Sequence, residues 1–196
     1  MTDETDVDDP GWPGFALVLL SMYPGGMRQM QHRSFMNAEA PLVVLRKVHM
    51  RLMSTQALIA IIAVLLVVFV DLQGSASKVL VIAGIVTVGV ALALIPRATD
   101  RPLDCAEPLL AQYQTRFFKR VAYASVPQIA GFIGLIFTGD LYPYVLGAAF
   151  SVVGHLYAAP SHSNIEHDAK TLSDSGCDRS LVMELHGYLR DGEEPT

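Results

Sequence analysis

Four stretches of the chain carry no charge, and their spacing repeats. Leu52 to Val70, Val79 to Pro96, Val121 to Gly139 and Leu141 to Ser161 contain no Asp, Glu, Lys or Arg. Arg51 precedes Asp71 by twenty positions and Pro96 closes the first unit; Arg120 precedes Asp140 by twenty and Pro160 closes the second. Each stretch is close to the ~20 residues that a helix takes to cross hydrocarbon. Hydrocarbon offers no partner for backbone N–H and C=O, so such segments must satisfy those groups internally, as helices. A soluble fold would have to bury four nearly all-apolar helices on every side, which 196 residues cannot do around one core. The pattern predicts an all-α membrane protein whose four transmembrane helices form two tandem helical hairpins.

The duplication extends upstream of the spans. Ala38-Glu39-Ala40-Pro41-Leu42 resembles Ala106-Glu107-Pro108-Leu109, and in both copies Pro suits a first helical turn, where its missing N–H is not needed. The predicted organisation is an acidic tail with a short apolar segment over 1–40 and a first hairpin over 41–97. A loop and second hairpin follow over 98–161, then a C-terminal tail with a short amphipathic helix over 162–196. Span one is rich in Leu, Ile and Val and suits lipid contact. Span three carries Ser125, Gln128, Gly131 and Gly134, and span four Gly147, Ser151 and Gly154. Small residues three and four apart let helix backbones approach, and a buried Ser or Gln can hydrogen-bond across the contact. Spans three and four are therefore expected at the bundle centre, antiparallel across the short turn Thr138-Gly139-Asp140. Pro127 is expected to bend or loosen span three.

Charge then assigns sides. Of the fourteen Lys and Arg, all but Lys78 precede span one, lie between spans two and three, or follow span four. The positive-inside bias puts both termini and the middle loop in the cytoplasm of a multi-pass inner-membrane protein. Arg46, Lys47, Arg116 and Lys119 are expected near the lipid headgroups. The net charge of −5 resides mainly in the tails, and no basic stripe with interleaved aromatics appears, so nucleic acid is not an expected partner. No cleavable signal is expected ahead of span one.

Thr2 to Asp9 holds five carboxylates and reads as disordered. Phe15 to Tyr23 is too short to span. It reads either as an interfacial segment anchored by Trp12 and Tyr23 or as a docking peptide led by Trp12 and Phe15. Near the C-terminus, Asp178 is expected to cap a short helix whose apolar side is Leu181, Val182 and Leu185. That side would lie on the membrane surface or on the middle loop, or instead meet a partner through Leu181 and Leu185. Cys105 and Cys177 fall on the cytoplasmic side, where thiols stay reduced.

Candidate chemistry is sparse. His155 is the only ionisable group of its kind at depth, so it is where proton or solute movement would act; its other role is a neutral hydrogen bond to Ser125, Tyr123 or a backbone carbonyl. Asp71 and Asp140 occupy matching span ends and are expected to face water or bond turn amides. A Ser125–His155–Asp140 triad fails because Asp140 belongs at the opposite membrane face. No P-loop, HExxH or haem-type His pair is present, and His162 and His167 are poorly spaced as ligands. No cofactor, metal or catalytic residue is expected.

The tandem hairpins resemble the proteolipid rotor subunits of rotary ATPases in architecture, without their mid-membrane carboxylate. A closer resemblance runs from Tyr113 to Leu189. It is carried by Arg116-Phe117-Phe118, Ile129-Ala130-Gly131-Phe132-Ile133-Gly134, Leu141-Tyr142-Pro143-Tyr144, Ala159-Pro160, Ser163-Asn164-Ile165 and Gly176-Cys177-Asp178-Arg179-Ser180-Leu181. This stretch is similar to a family of small four-helix actinobacterial membrane proteins, mostly of unassigned function. The resemblance implies an accessory subunit of a larger envelope complex, including Mce-type lipid importers. The expected function is thus a non-enzymatic accessory or assembly subunit, partnered by other integral-membrane subunits and the bilayer. The alternatives are a small ion or solute carrier with His155 in the path, and a membrane enzyme acting on lipid.

Overall fold

The structure, a computed structural model, describes residues 11–12, 40–70, 72, 74–99 and 103–186, with the backbone alone over 93–99. Every regular element among the described residues is an α-helix. In chain order these are α1 (Pro41–Phe69), α2 (Lys78–Thr99), α3 (Leu109–Thr138), α4 (Tyr142–Ala158), α5 (His162–Asp174) and α6 (Leu181–His186). Two of them, α1 and α3, are long and apolar enough to cross a membrane. The apolar part of α2 described with its side chains, Lys78–Leu92, and the 17-residue α4 are shorter. Pro41 opens the first turn of α1 as expected, whereas Pro108 stands one position before the first turn of α3, as its N-cap residue.

The chain divides into two compact units, Met53–Ala159 and a second that joins Met1–Leu52 to Pro160–Thr196.

In the Met53–Ala159 unit, α3 and α4 run antiparallel at close range. A Cβ on Gly131 would stand 2.7 Å from the Pro143 carbonyl oxygen and 3.1 Å from Tyr144 Cα. On Gly147 it would overlap the Pro127 carbonyl oxygen, and on Gly154 it would stand 2.9 Å from Ala124 Cβ. Pro127 lies inside α3, which continues unbroken past it. Gly139 ends α3 in the left-handed region at φ 65° and donates its N–H to Leu135 O at 2.8 Å, a C-terminal closure that glycine makes without steric cost. Asp140 then accepts the Tyr142 N–H at 3.0 Å, starting α4 one residue before Pro143. α2 packs on this pair. Gly134 faces Val81 and Ile85 of α2, and Gly89 of α2 faces the Phe150 ring.

α1 joins the unit along a narrow stripe. Ala63, Leu135 and Tyr144 form a buried cluster, with Ile59, Ala60 and Phe132 packed against it. Positions 59, 60 and 63 lie on one helical face. The other faces expose Leu58, Ile61, Ile62, Leu65 and Val68. Only 11% of the most apolar window of α1 is buried, against 44% for α3.

In the second unit, Leu42 and Leu45 of α1, Ile165 and Leu172 of α5, and Leu181 and Leu185 of α6 are buried. α5 and α6 pack together across a turn in which Gly176 takes φ 84°. At the start of α6 the capping contact comes from Ser180, whose Oγ accepts the Met183 N–H at 3.3 Å. Asp178 was the expected cap, but Ser180 immediately precedes the first helical residue and so has the shorter reach.

The glycine contacts generate a test. Gly131→Leu should lower the stability of the detergent-solubilised protein by about 1–3 kcal/mol or more, because no flexible side chain can yield to it. Leu65→Ala, on an exposed face, should change stability by less than about 0.5 kcal/mol. Thermal unfolding followed by helicity measures both, and equal losses would overturn the assignment of faces.

Candidate functional site

Polar side chains of three helices converge inside the Met53–Ala159 unit. α1 supplies Gln56, α3 supplies Ser125 and Gln128, and α4 supplies Tyr144, Ser151 and His155. Gly147, Ser151 and His155 follow one another at four-residue spacing, so one face of α4 carries both the close contact and the polar groups.

Gln56 Nε2 donates to Ser125 Oγ at 3.0 Å and lies 3.4 Å from His155 Nε2. Ser125 Oγ is 3.2 Å from the same His155 nitrogen and donates to the Val121 carbonyl at 3.0 Å. Gln128 Nε2 donates to the Gln56 backbone carbonyl at 3.0 Å and to Tyr144 OH at 2.7 Å. His155 and Ser151 are each 1% exposed. Gln56 Oε1 and Ser151 Oγ are buried without a hydrogen-bond partner among the described residues. Each bond of this kind adds about 0.5–1.5 kcal/mol net, while a stranded buried polar group costs about 1–3 kcal/mol. The arrangement ties α1 to the α3–α4 pair.

The packing residues read from the sequence are brought together: Gly131, Gly147 and Gly154 at the α3–α4 contact, Gly134 against α2, and Ser125 and Gln128 on the polar face. Asp140 sits elsewhere. It follows Ser125 by fifteen positions, about 22 Å of helix, and its carboxylate is 2.9 Å from Lys78 Nζ. The Lys78 hydrogen bond, then the Tyr142 N–H, holds the Asp140 carboxyl below its ordinary value of 3.8. Ser125 and His155 are therefore not joined by Asp140. Asp71 and Phe15 lie outside the described residues.

The second unit departs from expectation at three places. Arg46, expected at the headgroups, is 1% exposed. Its Nε donates to Pro160 O at 3.2 Å and its Nη1 to Gly11 O at 2.8 Å. Its guanidinium also lies 5.2 Å from the Trp12 ring centre, and that ring meets His49 edge-on at 6.0 Å. A planar fork of donors can serve two carbonyls and a ring face at once, which a headgroup-facing Arg would not do. Trp12, read as a membrane anchor or docking residue, rests on its own chain and remains 43% exposed. Leu181 and Leu185, read as a docking face, are 1% and 0% exposed. Their apolar side is already covered, which removes them as a free surface.

A groove of about 330 Å³ in this unit lies among α1, α5 and α6. Arg46, Lys170 and Arg179 line it together with Glu166 and Asp178, so it favours neither sign of ligand charge. Among the described residues no group of three or more His, Cys, Asp or Glu is placed to hold a metal ion. Both Cys105 and Cys177 are disulfide-bonded, contrary to the reduced thiols expected from a cytoplasmic location.

Sequence reasoning missed Gln56, Tyr144 and the Lys78–Asp140 pair. Gln56 was legible as a strongly polar residue inside an aliphatic span, and Lys78 as the one cation outside the main charge clusters. No protein family, curated protein or solved structure matches this chain.

Two expected outcomes follow from these contacts. The stability contributed by ionised Asp140 is present above pH 3.8, its ordinary value, and is lost as pH falls through the lower folded value. Acid titration of unfolding should therefore show a drop in that range that Asp140→Asn lacks, by a small amount because the pair is largely exposed. Arg46→Ala should release Trp12. Since this is the only Trp, its fluorescence should shift to the red and become more accessible to quencher, and an unchanged spectrum would exclude the contact.

Proposed function

We propose that the chain is a four-span, non-enzymatic accessory or assembly subunit of a larger inner-membrane complex. The complex that the sequence resemblance implies is an Mce-type lipid importer. The observation that carries this reading is the use of the polar groups within the apolar segments. Gln56, Ser125, Gln128, Tyr144 and His155 are bonded to one another and to backbone, which spends them on holding helices together. Hydrocarbon makes such groups costly unless paired, so they fit a packing role. The aliphatic faces of α1, with Leu58, Ile61, Ile62, Leu65 and Val68 exposed, fit lipid or another subunit's span.

In this reading α1, α2, α3 and α4 are the four spans. The tight turn at Gly139 and Asp140 then lies on the outer side, with Lys78 and Asp140 paired in the headgroup region. The placement of thirteen of fourteen Lys and Arg favours cytoplasmic termini. Reporter fusions at Thr196 and an insertion at Gln73 test this orientation. Cytoplasmic behaviour at Thr196 with external behaviour at Gln73 is the expected result, and the reverse would invert the topology.

The partner test is purification of the tagged protein from its own host in mild detergent. Recovery with integral-membrane proteins in fixed proportion is expected, and recovery of this chain alone would overturn the subunit reading. His155→Gln should leave partner recovery and growth nearly unchanged. A variant that assembles normally but fails to support growth would favour a carrier with His155 in its path.

A further inference from the structure

We infer that the groove among α1, α5 and α6 binds the zwitterionic headgroup of an aminophospholipid, a phosphodiester joined through two carbons to a primary ammonium. The inference goes beyond the subunit reading and rests on it only in taking α1 to cross a membrane.

Most of the charged side chains that line the groove already have partners. Arg46 is buried, and its Nε and Nη1 donate to backbone carbonyls. Arg179 is balanced by Glu184, whose Oε1 accepts from its Nε at 3.0 Å and its Nη2 at 2.6 Å. Glu166 has a loose, exposed contact, 3.9 Å from His162 Nδ1. The side chains of Lys170 and Asp178 make no ion pair or hydrogen bond with any described residue. The groove thus presents an ammonium and carboxylates that do not neutralise one another. An anionic ligand would gain Lys170 and be opposed by Glu166 and Asp178, and a cationic one would meet the reverse. A ligand that carries both signs a short distance apart answers both.

The lining also selects the cationic end. Quaternary ammonium groups are held by aromatic faces, and no Phe, Tyr or Trp is among the described residues that line the groove. A primary ammonium instead donates hydrogen bonds, which carboxylates such as Asp178 and Glu166 accept. Leu42, Ile165 and Leu181 line the groove as buried apolar side chains, suited to the methylenes between amine and phosphate. The volume of about 330 Å³ falls at the lower end of the range of small-molecule sites.

The source of the headgroup follows from α1. Leu42 and Arg46 stand on its first two turns, and the helix continues to Phe69. Arg46 precedes Leu52, where the uncharged stretch begins, by six residues, which is about 9 Å of helix. The polar layer on each side of the hydrocarbon is about 5–8 Å deep. With Leu52 at the hydrocarbon edge, the groove lies at the outer margin of the headgroup layer. There the zwitterion at highest local concentration is a lipid headgroup.

Calorimetric titration of the full-length protein in non-ionic detergent at neutral pH tests this. The probes are short-chain phosphatidylethanolamine, phosphatidylcholine and phosphatidylglycerol, with glycerophosphoethanolamine as the free headgroup. The ethanolamine lipid should bind about fivefold more tightly than the choline lipid, the upper range for one exposed charge pair, and more tightly than the glycerol lipid. Asp178→Asn combined with Glu166→Gln should bring the ethanolamine lipid to the affinity of the choline lipid. Lys170→Gln should weaken those two lipids alike, since both present the phosphate. All three side chains are exposed, so helicity should be unchanged in the variants. Absence of an ethanolamine preference would overturn the inference, as would its survival in the double variant or unchanged binding in Lys170→Gln. Glycerophosphoethanolamine binding as tightly as the lipid would overturn the lipid source and leave a soluble zwitterion as the ligand. None of these outcomes depends on whether a partner co-purifies, so the two proposals fail separately.

Discussion

The contact between the α3 and α4 backbones is the constraint on which the rest of the Met53–Ala159 unit depends. If the pair lies in lipid, as proposed, there is no water to expel between apolar surfaces, and helices there hold together through close dispersion contact and interhelical hydrogen bonds. Gly131, Gly147 and Gly154 remove the side chains that would keep the two axes apart. That approach brings Ser125 to 3.2 Å from His155 and Gln128 to 2.7 Å from Tyr144 OH. With bulkier residues at the glycines, the same polar groups would stand outside hydrogen-bonding range and become a cost.

How much of this was legible in the sequence differs by kind of feature. The long apolar helices α1 and α3 follow from an uncharged run, which is a local property and needs no knowledge of neighbours. The packing glycines were also legible, because spacing of three and four residues places them on one face before any partner is known. Gln56 was not. Span one reads as lipid-facing from its aliphatic majority, and whether its one strongly polar amide meets another helix depends on tertiary geometry. Arg46 shows the same limit for charge. Counting cations assigns it to the headgroup region, whereas its position is set by two carbonyls distant in sequence, Gly11 O and Pro160 O. The cap at Ser180 was misjudged by two residues, an error of boundary and not of element.

The Lys78–Asp140 pair illustrates why repeats are an incomplete guide to sites. Asp71 and Asp140 occupy equivalent places in the two copies, and equivalence alone suggests a shared role. Asp140 is committed to Lys78 at 2.9 Å and to the Tyr142 N–H at 3.0 Å. Those contacts start α4 and link it to the beginning of α2. Lys78 has no counterpart in the second copy of the repeat, so the pair is a feature of this turn and not of the duplicated unit. A carboxylate engaged in this way is a structural fastening at the end of the bundle.

α1 raises a question of specificity that the polar cluster answers. Its exposed residues, Leu58, Ile61, Ile62, Leu65 and Val68, would contact lipid tails and protein side chains with nearly equal favour. Such a surface cannot by itself select one rotation of the helix about its axis. Gln56 can, because its amide donates to Ser125 and lies 3.4 Å from His155 Nε2, and its backbone carbonyl accepts from Gln128 in the same register. Rotating α1 by one residue, about 100°, would carry that amide away from Ser125 and His155 and onto the aliphatic face. The apolar stripe of Ile59, Ala60 and Ala63 then fills the remaining contact. A helix fixed by a short polar contact, with most of its circumference left aliphatic, keeps a defined register while presenting a broad surface to whatever surrounds it.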